Sequence, residues 1–320
     1  MKNSLLEQAM APDALDCAWR RLKTEHTPWS PDTSRDELQY HLMRHLLECR
    51  EEVLGGSYRP LPLRQFPMRK PDGRIRVISA QYLKDKLVQR AILTVLEPRA
   101  EALFHDDSYA YRPNRNVDKA LDKVRERIRI GTDWLVDADI EKFFDSIPHR
   151  SLIKILNAFI ADGPTMRLIA RWLDQGAHVK SLLSTSRGIS QGAILSPLFC
   201  NLYLHRFDMA LAKAKIPFVR FADDFLLFAP AQDQADKALA YAAGELERLG
   251  LTIHPEKTHV VRASREVSFL GQALPNPTPE VKPPVPDPKS PLSRLIYTPG
   301  RRNILSRRRK SQVPGGRPPT

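Results

Sequence analysis

The stretch of this chain that most restricts its fold is a pair of adjacent aspartates between two short apolar runs. The runs cover residues 217–222 and 225–229, and Asp223 and Asp224 lie between them. Short apolar runs separated by turn-forming residues predict a β-hairpin, here with the aspartate pair as its tight turn. An aspartate in a hairpin turn is also an ordinary structural residue, because its carboxylate bonds the local backbone. A catalytic role needs further acidic residues that fold beside this turn.

Such residues occur upstream, in and after a second apolar run. Residues 134–138 predict a buried strand, and alternation along it places Asp137 and Asp139 on one face. Carboxylates at the end of a buried strand are costly unless they are paired or bind a metal. One strand aspartate together with a hairpin pair supplies oxygen ligands for two magnesium ions, which can activate an attacking oxygen and stabilise a leaving one.

The charge of the chain predicts a polyanionic partner. Among 320 residues, 50 are Lys or Arg and 37 are Asp or Glu, which gives a formal net charge of +13. Nucleic acid is the commonest partner of so basic a protein. The alternative is a neutral enzyme with a basic tail, since residues 276–320 hold ten basic and two acidic side chains. That segment also holds 11 of the 27 prolines, which predicts a linker or disordered tail without a core.

The cysteines and the hydropathy pattern predict a reducing compartment. Cys17, Cys49 and Cys200 are widely spaced within apolar helical patterns, so we expect core thiols rather than a disulfide or a zinc site. The N-terminus has no apolar signal core, and no window approaches the roughly 20 apolar residues of a membrane span. We therefore expect a cytoplasmic protein.

The remaining elements are mostly helical. Helical spacing of apolar residues occurs in seven segments, at residues 14–22, 38–47, 83–104, 116–130, 149–159, 196–213 and 232–249. Ser196 is predicted to cap the sixth of these, with Pro197 at its first helical position. A Pro-Asp-Gly turn predicts a hairpin over residues 63–78, and a last small hairpin is predicted within residues 251–271.

Two stretches are suited to nucleic acid. Four cations, Arg69, Lys70, Arg74 and Arg76, crowd the first hairpin, which is either a solvated basic hairpin or a lid that grips phosphates. Residues 108–115 combine aromatic rings with two arginines, a combination that can hold single-stranded nucleic acid. The alternative for the rings is burial in the core.

The order of these stretches resembles a reverse transcriptase, and is most similar to those of the bacterial group II intron lineage. The resemblance covers roughly residues 35–275 and is carried by residues 70–76, 108–113, 139–145, 190–197 and 221–224. It implies an α+β fold, with the fingers and palm of a right-hand polymerase and an antiparallel palm sheet. The implied domains are an N-terminal helical segment (1–34), the fingers and palm (35–275) and the proline-rich basic tail (276–320).

The implied activity is RNA-directed DNA polymerisation. Such a nucleotidyltransferase adds dNTPs to a primer 3′ end on an RNA template, with two Mg²⁺ ions as cofactors and Mn²⁺ as a substitute. The resemblance assigns catalysis to Asp139, Asp223, Asp224 and Lys257, of which Lys257 would protonate the pyrophosphate leaving group. The implied metal ligands are the three aspartates and the carbonyl of Ile140.

The resemblance also assigns substrate contacts. Nucleotide-binding positions are Lys70, Arg76, Phe144, Gln191 and Gly192, with the Phe144 ring acting as a gate that leaves no room for a 2′-hydroxyl. Nucleic-acid-binding positions are Tyr109, Arg112, Arg115 and Phe221.

The chain departs from the family pattern in ways that bear on its biological role. Phe221 stands where many relatives have tyrosine, and no thumb, maturase or endonuclease segment is recognised after Gly271. We therefore expect a partner or fused domain to help hold primer and template. The short form, the Asp-Ala-Asp-Ile run and the proline-rich linker are similar to reverse transcriptases that serve the CRISPR adaptation integrase, making DNA from RNA for spacer acquisition. The alternatives are a group II intron-type retroelement, a phage-defence reverse transcriptase and a non-enzymatic nucleic-acid-binding scaffold.

Overall fold

The first third of the chain is helical apart from one hairpin. The structure, a computed structural model, describes residues 4–69, 73, 75–176 and 186–277. Its first elements are α1 (Leu5–Ala9), α2 (Pro12–Leu22), α3 (Arg35–Tyr40), α4 (Leu42–Leu54), β1 (Arg64–Arg69), β2 (Ile75–Ala80) and α5 (Leu83–Glu101). Strands β1 and β2 pair antiparallel, as predicted, whereas the predicted Pro-Asp-Gly turn lies outside the described residues except for Gly73.

The rest of the described chain forms the sheet that carries both aspartate stretches. Its elements are α6 (Val117–Arg129), β3 (Trp134–Ala138), α7 (Phe143–Ser146), α8 (His149–Ile160), α9 (Gly163–Gly176), α10 (Ser196–Lys213), β4 (Phe218–Phe221), β5 (Asp224–Ala229), α11 (Gln232–Arg248), a 3₁₀ turn (Pro255–Lys257), β6 (His259–Arg262), β7 (Ser268–Phe269) and β8 (Gln272–Ala273). Four of these strands form an antiparallel sheet in the order β4-β5-β3-β6.

Alternation along the central strands gives the sheet two apolar faces. Val136 of β3 and Leu227 of β5 belong to the larger core, together with residues of α5, α8, α10 and α11. Leu135 and Leu226, the neighbouring residues, belong to a second core formed with α6. All four side chains are at most 1% exposed, and each contributes about 1.5–3 kcal/mol by leaving water. The sheet is therefore a rigid support for residues at its strand ends.

The N-terminal helices share the larger core. Leu5, Ala9 and Leu15 are buried in the same cluster as Leu87 and Ile92 of α5. The backbone N–H groups of α5 also bond back to the connection between α2 and α3, with Leu83 donating to the Pro28 carbonyl at 3.0 Å. The helices before residue 34 thus pack directly on the long helix that follows the first hairpin.

Three local predictions need correction. Asp224 is the first residue of β5 and pairs with Phe221, so the tight turn is Ala222–Asp223 rather than the aspartate pair. Ser196 is the first residue of α10, and its hydroxyl donates to the Ser190 carbonyl at 2.7 Å, which anchors the preceding loop instead of capping the helix. Cys17 is only partly buried, whereas the other two cysteines are buried; all three are free thiols.

The end of the described chain differs from expectation in two respects. A small hairpin is present, but it pairs β7 with β8, so its second strand lies beyond the predicted residues 251–271. Strand β6, which was not predicted, joins the main sheet beside β3, with Asp137 opposite His259. Within the described parts of the chain, no helix is both long and apolar enough to cross a membrane.

Candidate active site

The register of the sheet brings the three predicted carboxylates together. Ala138 at the end of β3 lies opposite Phe225 of β5, so Asp139 follows β3 at the edge where Asp224 begins β5. Asp223 occupies the turn at the same edge. Its neighbour Ala222 has a φ of 60°, a left-handed value at the first loop position, where glycine is usual in such hairpins. The hairpin therefore presents both of its aspartates beside the end of the central strand.

The mutual charge of these groups shifts their proton affinities. Burial and the Asp223 and Asp139 carboxylates raise the pKa of Asp224 to about 6, although this residue stays open to solvent. Burial and the Asp139 charge also raise the pKa of Asp223. Burial raises the pKa of Asp137, and the same Asp139 charge adds to that effect. Negative charge is therefore concentrated at one sheet edge, and a cation bound there would be stabilised.

The cation at this edge of the structure is Lys257. Its ammonium group donates a hydrogen bond to Oδ2 of Asp139, and this contact raises the pKa of Lys257. The side chain is 60% exposed, against 13% for that of Asp139, so the lysine reaches in from solvent. The backbone fixes its segment, because the His254 N–H donates to the Asp139 carbonyl at 2.8 Å.

The carboxylate oxygens at this edge of the sheet suit divalent metal ions. Carboxylate oxygens are the ligands that Mg²⁺ prefers, and repulsion among Asp139, Asp223 and Asp224 is what such an ion would relieve. Among the described residues, no three carboxylate, imidazole or thiol groups already form a cluster that could hold an ion. Lys257 occupies an oxygen of Asp139, so metal binding there requires that this contact break. Ile140 follows Asp139 directly, and the role of its carbonyl stays a prediction.

A large cavity opens beside the carboxylates. Its volume is about 800 Å³, and Asp223, Phe144, Gln191 and Gly192 all contribute to its wall. Three predicted nucleotide-binding positions thus line the same space as a predicted catalytic aspartate. This volume lies within the usual range for small-molecule sites of about 300–1,000 Å³.

The loop before α10 is tied to Phe144. The Ile189 N–H donates to the Phe144 carbonyl at 2.8 Å, and the ring of Phe144 packs edge-on against Phe143, with ring centroids 5.6 Å apart. Gly192 has a φ of 99°, a conformation that strains any residue with a side chain. The backbone therefore holds the ring of Phe144 and the loop with Gln191 on neighbouring parts of the cavity wall.

Charged side chains of both signs line another part of the cavity, with Glu25, Glu97 and Glu101 beside its cations. Lys86 and Arg90 of α5 line it, and Lys86 is paired with Glu25. Burial and the nearby charge of Arg21 lower the pKa of Arg90. This part of the cavity was not predicted, because the residue spacing of α5 is that of an ordinary buried helix.

Two predicted nucleic-acid-binding residues make structural contacts within the protein. The ring of Tyr109 is 5% exposed and packs in the second core. Arg112 is 6% exposed, and its guanidinium pairs with both carboxylate oxygens of Glu101 and with the carbonyls of His105 and Ser108. The Tyr109 ring is therefore enclosed in the core, whereas Arg112 also lines the cavity.

Tyr111 is the aromatic residue of this stretch that faces the cavity. Its side chain is 52% exposed, its φ is 61°, and it lines the cavity with Asp223. Burial and the charges of Asp223 and Asp224 raise the pKa of its phenol. Spacing alone could not distinguish Tyr109 from Tyr111, since the segment is neither a helix nor a strand.

The other predicted contacts vary in accessibility. Arg115 pairs with the exposed Asp106 at 2.8 Å and stacks over the Tyr109 ring, and Phe221 is half-buried against the second core. Lys70 lies outside the described residues. Arg76 lies in β2, but its side chain is not among those that the structure describes. The predicted roles of these four residues stay predictions.

Comparison of the sequence with known protein families supports this arrangement. Residues 68–274 match the reverse transcriptase (RNA-dependent DNA polymerase) family, and the chain belongs to that family. This match confirms the predicted enzyme class and the fold of fingers and palm. Members of the family act on a nucleic-acid template and primer with divalent metal ions.

Relatives of this chain include proteins of the group II intron type. Protein YkfC of Escherichia coli (strain K12) is 30% identical over 295 residues, which cover 79% of this chain and 77% of YkfC. Group II intron-encoded protein LtrA of Lactococcus lactis subsp. cremoris is 30% identical over 221 residues, which cover 68% of this chain but only 36% of LtrA. Among solved structures, a chain of a partial Cas6-RT-Cas1--Cas2 complex is 22% identical, with a TM-score of 0.45, covering 81% of this chain and 44% of that chain. The predicted relation to group II intron reverse transcriptases is therefore confirmed.

Proposed function

We propose that this chain extends a primer on an RNA template by adding deoxynucleotides, and that residues 35–275 carry the fingers and palm. The observation that carries the proposal is the meeting of Asp139, Asp223 and Asp224 at one edge of the sheet, beside a cavity lined by Phe144 and Gln191. Family membership supports the reaction class, and the coupled carboxylates support the location.

The proposed reaction is attack of the primer 3′-oxygen on the α-phosphorus of a dNTP. A bond forms between that oxygen and the α-phosphorus while the 3′-hydroxyl gives its proton to water. The bond from the α-phosphorus to the oxygen bridging it to the β-phosphate breaks, and pyrophosphate leaves. Divalent ions held by the three aspartates would supply charge neutralisation for the attacking and leaving oxygens. Lys257 places an ammonium group beside Asp139, and this group can give a proton to the leaving group once metal binding has released it.

The cavity residues would orient the nucleotide. Phe144 places a bulky ring on the wall beside Asp223, which supports its predicted role in excluding a 2′-hydroxyl. Tyr111 and the loop with Gln191 offer surfaces for the base and the template. Holding the reactants in place is the main catalytic contribution that such a site makes.

Primer extension tests the proposal directly. The wild-type chain, Asp223→Ala and Asp233→Ala should be compared on an RNA template with dNTPs and Mg²⁺. Asp233 is a matched control, because it is an exposed carboxylate on α11 that pairs with Lys237 at 3.0 Å. Extension by the wild type and Asp233→Ala, with none by Asp223→Ala and unchanged RNA binding, is the expected result. Binding without extension by any variant would favour the nucleic-acid-binding scaffold.

For the biological setting, we favour RNA-derived spacer acquisition with the CRISPR adaptation integrase as partner. Its support is the run from Asp137 to Ile140 and the proline-rich segment that follows residue 276. Relatives encoded by group II introns favour an intron-type retroelement as the alternative. Adding the purified integrase to the extension assay separates these settings, since stimulation and co-purification are expected only in the first.

A further inference from the structure

A guanidinium group is buried directly behind the turn that carries the two hairpin aspartates. Arg220 is 0% exposed, and its five N–H groups all have acceptors. Nε and Nη2 donate to the two carboxylate oxygens of Asp208 at 2.7 and 2.6 Å. Nη2 also donates to the hydroxyl of Ser108 at 2.7 Å, and Nη1 to the side-chain oxygen of Asn201 at 3.2 Å.

The fifth of these bonds reaches the turn itself. Nη1 of Arg220 donates to the carbonyl of Ala222 at 2.9 Å, and Ala222 is 7% exposed. Ala222 is the residue with the left-handed φ of 60°, immediately before Asp223. A non-glycine residue in this region costs free energy and persists only where its surroundings hold it. The bond from Arg220 also satisfies a carbonyl that would otherwise be buried without a donor.

The network of Arg220 joins three separate parts of the chain. Asn201 and Asp208 lie on α10, Ser108 lies in the segment before α6, and Arg220 lies in β4. The backbone joins the same parts, because Arg220 accepts from the Tyr109 N–H and donates to the Asp107 carbonyl, both at 2.9 Å. Asn201 completes the network by donating to the Ala110 carbonyl at 2.8 Å. The turn is therefore fixed relative to the helix and to the segment that carries Tyr111.

We propose that Arg220, held by Asp208, is a positioning residue that fixes the Ala222–Asp223 turn so that the aspartates at its end face Asp139. The inference rests on the proposed function and adds a residue to it. Arg220 touches neither substrate nor metal, and it acts through the Ala222 carbonyl. Burial of a full ion pair gives little net stability, and well-packed apolar residues often replace such a pair without loss. Apolar residues could not reproduce the hydrogen bond to the Ala222 carbonyl that holds the turn in its geometry.

Two variants separate positioning from stability. Arg220→Met with Asp208→Leu removes both charges together, so no unpaired charge stays buried, but the donor to Ala222 is lost. Arg220→Lys keeps a positive charge facing Asp208, yet a lysine cannot make the forked set of bonds that a guanidinium makes. If the double variant fails to fold, Arg220→Lys decides the question.

The matched control removes an ion pair from the other end of the same sheet. Arg262 and Asp133 are 2.7 Å apart, and Arg262 lies opposite Trp134 at the start of β3, away from the carboxylates. Arg262→Met with Asp133→Leu should leave extension and metal binding as in the wild type.

The measurements are the thermal midpoint, kcat for extension, primer–template affinity, and Mn²⁺ binding followed by the electron paramagnetic resonance of the free ion. We expect both Arg220 variants to fold and to bind primer–template within about twofold of wild type. Their kcat should fall at least about tenfold, since small displacements of catalytic groups can cost about 10²-fold. Mn²⁺ binding should weaken by at least about threefold if the turn moves away from its position beside Asp139.

A rescue variant adds a readout that a purely structural role would leave unchanged. Glycine adopts a left-handed φ without steric cost, so Ala222→Gly in the Arg220→Lys background should restore part of the lost kcat and Mn²⁺ affinity. Folded Arg220 variants with wild-type kcat and Mn²⁺ affinity would overturn the inference. Equal losses of kcat and Mn²⁺ affinity in the control variant, Arg262→Met with Asp133→Leu, would also overturn the inference, because they would show general destabilisation. Absence of extension by the wild-type chain would instead contradict the proposed function.

Discussion

The contact between Lys257 and Asp139 predicts that one substitution changes metal binding and catalysis in opposite directions. In Lys257→Met, Asp139 loses the ammonium that competes with a metal ion for its Oδ2 atom. The lysine side chain is 60% exposed, and ion pairs of such accessibility stabilise by about 0.2–1 kcal/mol. That range converts to an increase in Mg²⁺ affinity of about 1.4–5-fold, because 1.4 kcal/mol corresponds to about tenfold. Loss of a general acid should lower kcat by about 10²-fold or more.

Mg²⁺ titrations of primer extension, together with Mn²⁺ binding in the absence of dNTP, check both effects. The matched control is Arg262→Met, which also removes a largely exposed cation from a buried aspartate of the same sheet. It should change neither quantity. A Lys257→Met variant with lower kcat but weaker metal binding would refute the reasoning, because the lysine would then support the metal site rather than compete for it.

Three further predictions concern the carboxylates, the cavity and the core. Because the pKa of Asp224 is raised to about 6 and a metal ligand must be deprotonated, Mn²⁺ affinity should be constant above about pH 7 and fall about tenfold per unit below pH 6, measured by paramagnetic resonance. Phe144→Ala should raise the incorporation of ribonucleotides relative to deoxynucleotides in single-nucleotide extension, whereas Tyr82→Ala, an aromatic change outside the cavity, should not. Burial raises the pKa of Asp85 from 3.8 to about 6, so its stabilising contribution is complete below about pH 4 and is lost as pH rises through 6. The free energy of unfolding of the wild type, measured with denaturant, should therefore fall by up to about 3 kcal/mol relative to that of Asp85→Asn between pH 4 and 7. Parallel pH profiles of the two proteins would contradict this.

The sequence predicted the parts of the site that depend on local pattern. Residues 134–138 and 225–229 are short apolar runs with turn signals at their ends, and both are strands. The carboxylates follow from them, because a residue at the end of a strand has a position fixed by pairing. The helix boundaries were also close, since α6 and α11 carry apolar residues at helical spacing and end near Gly131 and Gly250.

The parts that were missed depend on contacts between distant segments. The network of Arg220 joins residues up to 112 positions apart, and no short motif predicts which acceptors such a buried arginine finds. Strand β6 has half-buried and exposed residues, so its pairing with β3 left no clear apolar pattern. Tyr109 and Tyr111 are two positions apart in an irregular segment, and only the backbone at Tyr111, with its φ of 61°, decides which ring faces the cavity.

Arg220 and Lys257 are two cations close to the carboxylates, and they differ in a way that suits two separate tasks. Arg220 is fully buried, and every one of its donors is engaged, so moving it would break five hydrogen bonds at once. Lys257 is mostly exposed and makes one contact with Asp139, which it can give up at the small cost of an exposed ion pair. The buried charge of Arg220 can fix where the hairpin aspartates lie. The exposed charge of Lys257 can neutralise Asp139 until a metal ion binds. Exchanging the two residue types would therefore harm the site at both positions, because lysine cannot hold the turn and arginine would leave Asp139 less readily.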